Sequence, residues 1–159
     1  MEALQEILLQ WGYVGLFVGT FLAATILPFS SEILVTGLLY MGADALMVFI
    51  IATIGNWLGS VSTYYLGWLG KWEWIEKWFK VTPEKLEKQQ SNISKYGSLL
   101  SFFVWLPLIG DISSLALGFY KVSPVRCILF MLMGKATRFA VYISLYMYFS
   151  DTFGWGFEI

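Results

Sequence analysis

Apolar positions gather in long runs along this chain: Val14–Leu27, Ala45–Leu69 and Val125–Phe149. At 1.5 Å of rise per residue the last two reach across a hydrocarbon core of about 30 Å, and both are predicted to be transmembrane helices. The first run is cut by PFSSE, Pro28 to Glu32, after which only nine residues, Ile33 to Met41, continue the apolar pattern. As helix they extend about 14 Å, half the thickness of a bilayer. The same figure returns later. Tyr96–Leu106 runs into PLIGD, Pro107 to Asp111, and nine more residues follow, Ile112 to Tyr120. A limb in, a break at proline and a short limb out describe a re-entrant hairpin. Irregular backbone at membrane depth is tolerated only where protein or a wet cavity surrounds it, so each break predicts a lined cavity.

The remaining segments fit around these two. Leu4, Ile7, Leu8 and Trp11 fall at helical spacing opposite Gln5, Glu6 and Gln10, which predicts a short interfacial helix before the limb Gly12–Leu27. Within Ala45–Leu69 the small residues Gly55, Gly59, Thr63 and Gly67 recur at every fourth position, a stripe for close helix packing. Asn56 beside it is placed to hydrogen-bond across helices or to a ligand. Between Lys71 and Lys95 the composition changes to tryptophan interleaved with charge, an interfacial helix followed by a more polar one that starts at Thr82-Pro83. The fold predicted is therefore all-α and integral to the membrane: two oppositely oriented re-entrant hairpins, two full transmembrane helices and interfacial amphipathic helices. It forms one polytopic domain over 1–159, with inverted-repeat halves 1–70 and 96–159 joined by the loop 71–95.

Composition supports this class, since 58% of the residues are hydrophobic and 13% charged, about half the charge of a soluble domain. The opening MEALQE is acidic where a cleavable leader is basic, so the hydrophobic segments are expected to be retained. Cys127 is the sole cysteine, which excludes an internal disulfide and reads as packing. Residues 1 to 70 contain no Lys or Arg. With both breaks re-entrant, Lys71–Lys95, Lys121 and Arg126 share one face, while Glu2, Glu6, Asp44, Asp151 and Glu158 share the other. Cations concentrate on the cytoplasmic side, so the loop 71–95 is expected there and the chain in the cytoplasmic (inner) membrane. Four acids offset the six lysines of that loop, and its aromatics suit lipid headgroups better than nucleic acid.

Four ionisable residues remain at membrane depth: Glu32, Asp111, Lys135 and Arg138. A charge there costs about 2.5–3.5 kcal/mol on insertion scales, and such residues commonly mark a pathway. Two acids and two bases also suit an internal salt-bridge cluster. Three features favour a substrate site. Each acid follows a break, where the free N–H groups of a helix start attract an anion. Lys135 and Arg138 lie three apart on one helix face, with Tyr142 a further turn along. Ser30 and Ser31 add hydroxyls at the first break, and Ser113 and Ser114 at the second. The set fits a phosphate-headed lipid, a phospholipid or a polyprenyl phosphate, with Glu32 or Asp111 exchanging a proton or its cationic partner as the phosphate arrives. A lateral opening for such a lipid is expected near Trp105, Trp57 and Tyr64.

Other classes are weaker. Gly110-Asp111 at a break resembles an intramembrane protease aspartate, but the second acid of the dyad would have to be Glu32. The absence of histidine removes Ser-His and Cys-His chemistry and the commonest zinc ligand, and there is no P-loop. No enzymatic activity, cofactor or metal is expected. A small-ion or proton-coupled carrier using the same carboxylates, and an assembly subunit, stay open, as does a homo-oligomer.

Four stretches together carry a family resemblance: the first break with its acid, GNWLGSVSTYYLGWLG over Gly55–Gly70, WLPLIGDISSLALGF over Trp105–Phe119 and GKATRF over Gly134–Phe139. The chain resembles the DedA family, also called SNARE-associated or VTT-domain proteins, and within it the short YqaA-like branch. The resemblance covers nearly the whole chain. It implies opposed re-entrant hairpins and translocation of polyprenyl phosphates such as undecaprenyl phosphate, with a role for the proton gradient. By the same likeness Glu32 is the acid of the first re-entrant loop. The chain departs from the family pattern at Val104 and Gly110, where many members carry arginine, and at Ser60, where an acid is common. Lys135 and Arg138 are the candidates to replace those arginines.

Overall fold

The computed structural model describes the backbone of residues 2–25, 30–70, 73, 76–77, 82–106 and 109–154, and their side chains except those of residues 2–9, 86, 89, 92, 94, 105, 109 and 111. All regular structure in the described residues is helical. Helix α1 spans Glu2–Ala23, α2 Ser31–Tyr40, α3 Ala45–Trp68 and α4 Pro83–Tyr96. A 3₁₀ segment, Gly97–Trp105, leads to α5, Ile109–Phe119, and α6, Pro124–Phe153.

Local chemistry sets several of these bounds. Asp44 caps α3, its carboxylate accepting from the Met47 N–H at 2.8 Å. Pro124 opens α6 at a position that needs no N–H donor, and Gly154 ends it in the left-handed conformation. Thr82 occupies the N-cap position of α4 as expected, but its side chain makes no capping bond. The amino-terminal reading needs correction. The separate interfacial helix and the limb behind it form one continuous helix of 22 residues, because no breaker stands between Gln10 and Gly12. The limb Tyr96–Leu106 is also different in kind: it is 3₁₀ over nine residues, long for that conformation.

Helix α3 is the hub, packed against α1, α5 and α6. Its glycine stripe makes this possible. A Cβ on Gly55 would meet Phe17 and Thr20 of α1, one on Gly59 would meet Phe21 and Ala24, and one on Gly67 would overlap the backbone of Leu115 in α5. The favour is returned by Gly118 of α5 against the Tyr64 carbonyl, and by Gly134 of α6 against the Phe102 carbonyl of the 3₁₀ segment.

Among the described residues three apolar clusters result, a small one at Leu115 and Ala116 of α5 and two larger ones. One joins Leu16, Val35, Ala52, Phe139 and Ile143, from α1, α2, α3 and α6. The other joins Tyr64, Val104, Leu117, Cys127 and Met131, so the cysteine is packed as expected. The outer surface is apolar too: Val14 and Val18 on α1, Leu46, Ile50 and Ile54 on α3, and Val125, Leu129 and Met133 on α6 are exposed. Water disfavours such a surface and hydrocarbon accepts it. Among the described residues, helices α3 and α6, 24 and 30 residues long, are long and apolar enough to cross a membrane.

Candidate functional site

The polar residues concentrate between the two cores. On α3, Thr53, Asn56, Ser60 and Thr63 lie between Ala52 of the first core and Tyr64 of the second. On α6, Gly134, Lys135 and Arg138 lie between Met131 and Phe139. A polar layer therefore crosses the molecule midway along both long helices.

At one edge of this layer Arg138 donates through Nη2 to Glu32 Oε1. The two side chains are 17% and 21% exposed, so the pair is neither dry nor freely solvated. Glu32 stands in the first turn of α2, where the helix dipole favours its charge, and its other oxygen accepts from Ser30 Oγ at 2.5 Å. One turn along α6 from Arg138, Tyr142 shares a hydrogen bond of 2.6 Å with Thr36, one turn along α2 from Glu32. The short helix is thus held to α6 at two successive turns by polar contacts. Deeper in the layer lies Lys135, 2% exposed.

Of the residues singled out from the sequence, Glu32, Ser30 and Arg138 are bonded together, and Tyr142 lies one turn along α6 in a separate pair. Tyr142 engages Thr36, a partner that nothing in the sequence pattern marked. Ser31 is buried at the start of α2. Asn56 is buried and its Nδ2 donates to the Thr20 carbonyl of α1 at 2.9 Å, so its amide ties helices across the seam. Asp111 stands in the first turn of α5. Its side chain, Pro28 and Pro107 lie outside the described residues.

The opening expected near Trp105, Trp57 and Tyr64 falls partly outside the described residues. Trp57 Nε1 donates to the Ile128 carbonyl of α6 at 3.0 Å, and the Tyr64 hydroxyl donates to the Val122 carbonyl in the turn before α6. The side chain of Trp105 lies outside the described residues. Among the described residues a cavity of about 720 Å³ opens between the start of the 3₁₀ segment and the start of α6. Arg126, Ser98, Ser123 and Tyr96 supply its polar lining, and Leu99, Val122 and Phe130 its apolar one.

The model of the VTT domain matches residues 27–147, from the break before α2 to the last third of α6. The chain belongs to the VTT-domain family. The matched region contains Glu32, the polar layer and both short helices, whereas all of α1 precedes it. The chain is 31% identical over 138 residues to an uncharacterized protein of Haemophilus influenzae, a match covering 82% of this chain and 84% of that protein. It is 31% identical over 126 residues to the inner membrane protein YqaA of Escherichia coli, covering 79% and 84%. It is 26% identical over 166 residues to undecaprenyl phosphate transporter A of Staphylococcus aureus, covering 96% and 81%. No solved structure matches the chain.

Proposed function

We propose that this VTT-domain protein is a multi-pass protein of the cytoplasmic membrane that moves a phosphate-headed lipid between leaflets, with a polyprenyl phosphate as its preferred substrate. One observation carries the reading: a polar layer holding Lys135 and the Glu32–Arg138 pair between two apolar cores. A lipid phosphate crossing the membrane needs cations midway, and the layer offers two of them on one face of α6.

The short helices suit the same reading. Helices α2 and α5, with 10 and 11 residues, extend about 15 and 16 Å, half a bilayer, and each starts with an acid in its first turn. We take α1–α2 and the 3₁₀ segment–α5 as hairpins entering from opposite faces, one in each half, 1–70 and 96–159. The cavity beside Arg126 receives the headgroup at the cationic face, taken as cytoplasmic, and Arg138 exchanges Glu32 for the phosphate as the lipid reaches the layer. Glu32 then takes up a proton, which couples movement to the proton gradient. The relative named undecaprenyl phosphate transporter A supports this substrate class.

The test uses proteoliposomes assayed in parallel for polyprenyl phosphate, phosphatidylglycerol and inorganic ion movement. Lipid movement is expected, and Lys135→Gln and Arg138→Gln should each reduce it at least tenfold. Ion flux without lipid movement would establish the small-ion carrier instead, and hydrolysis of the lipid would establish an enzyme.

A further inference from the structure

Three buried side-chain oxygens on α3 have no hydrogen-bond partner among the described residues: Thr53 Oγ1, Asn56 Oδ1 and Ser60 Oγ. Their residues are 5%, 2% and 0% exposed. Buried polar atoms are nearly always paired, so three on one helix require a cause. Residues turn by about 100° along an α-helix, which puts positions 53, 56 and 60 within an arc of about 60°. They share one face. On one flank of it Asn56 Nδ2 reaches the Thr20 carbonyl of α1, and on the other Trp57 Nε1 reaches the Ile128 carbonyl of α6. The face therefore opens into the seam between α1 and α6, within the polar layer.

Apart from Ser101 Oγ in the 3₁₀ segment, which also lacks a hydrogen-bond partner among the described residues, several other hydroxyls bond their own backbone. Ser62 and Thr63, on the same helix, donate to the carbonyls of Leu58 and Gly59 at 2.9 and 3.1 Å. Ser114, Thr137 and Thr152 likewise donate four residues back. This is the usual way a helix satisfies a hydroxyl in apolar surroundings. Thr53 and Ser60 make no such bond.

We infer that this face of α3 is a hydration site, in which Thr53 Oγ1, Asn56 Oδ1 and Ser60 Oγ hold water midway through the membrane. The donor set selects the ligand. Asn56 Oδ1 only accepts, so its guest must donate, which an anionic phosphate oxygen does not do. The two hydroxyls both donate and accept. Water matches all three, and a buried water commonly bridges about three polar groups. Held there, it keeps the layer around Lys135 and Arg138 polar whether or not a headgroup is present. This inference is independent of the lipid reading.

The test compares thermal unfolding of the purified full chain with that of Thr53→Val and Ser60→Ala. If water bridges these hydroxyls, each variant should lower Tm by about 2–4 °C, the shift expected for one hydrogen bond in a chain of this size. If the hydroxyls are dry, Thr53→Val removes an unpaired polar atom without changing shape, and a rise in Tm overturns the inference. A Tm that rises with sodium but not with choline would overturn it in favour of a cation. Should Thr53→Val not fold, pulsed X-ray hydroxyl-radical footprinting of the wild type against Ser60→Ala decides. Oxidation at Trp57 severalfold above that of a Trp57-bearing protein dried of this site, made as Ser60→Ala, supports the inference, and equal oxidation ends it.

Discussion

The two short helices, α2 and α5, are held in place by different physics. In the first arm α1 approaches as a continuous 22-residue α-helix, and α2 leaves tied to α6 by polar contacts, Glu32 to Arg138 and Thr36 to Tyr142. In the second arm the approach is a nine-residue 3₁₀ segment, and α5 is held by backbone closeness, with Gly118 against the Tyr64 carbonyl and Gly110 against the Val104 carbonyl. At 2.0 Å per residue nine 3₁₀ residues extend about 18 Å, against about 14 Å as α-helix, so the larger rise lengthens the approach to α5. One arm is fixed by charge and hydroxyl, the other by shape. The two should fail differently.

The largest effect is expected from a pair of glycine substitutions. Gly118→Val in α5 drives a branched side chain into the Tyr64 carbonyl, a backbone atom that cannot rotate away. A loss of about 3 kcal/mol or more follows, read as failure to accumulate monodisperse protein. Gly37→Ala in α2, with nothing within 4 Å of the added carbon, should be neutral or stabilise by up to about 1 kcal/mol. Equal losses at the two positions would erase the distinction between the arms.

Next comes the ion pair. Glu32→Gln and Arg138→Gln each leave a partly desolvated charge without its partner, and each should cost about 1–3 kcal/mol, between the surface and fully buried cases. The double variant removes both charges and should recover part of that loss, a coupling measured by a double-mutant cycle on Tm. Additive losses would mean that the pair does not hold α2 to α6.

Much of this was legible from residues, and the exceptions have physical reasons. The long runs gave α3 and α6 within a few residues, because length and apolarity suffice for a helix in hydrocarbon. The spacing of Gly55, Gly59, Thr63 and Gly67 gave the packing face of α3, because small residues at every fourth position admit a neighbouring backbone. Lys135 and Arg138 stood out because charge at that depth is rare. The 3₁₀ winding of Gly97–Trp105 was hidden, since its apolar residues suit either helix and the choice is made by tertiary reach. Thr36, Thr53 and Ser60 were missed for a related reason. A lone hydroxyl in an apolar helix ordinarily bonds its own backbone, and only the packed structure shows which ones do not.

The smallest effect separates the two polar ties of the first arm. Tyr142→Phe and Thr36→Val each remove one oxygen of a single neutral hydrogen bond, 2.6 Å long and only partly buried. Each should cost about 0.5–1.5 kcal/mol, less than either half of the ion pair. Because the two oxygens are each other's partner, the double variant leaves no orphan and should be no less stable than the worse single one. Unfolding curves of the three variants check this. A double variant that loses the sum of both would show that each hydroxyl has a further partner, and that α2 is held to α6 by more than two turns of polar contact.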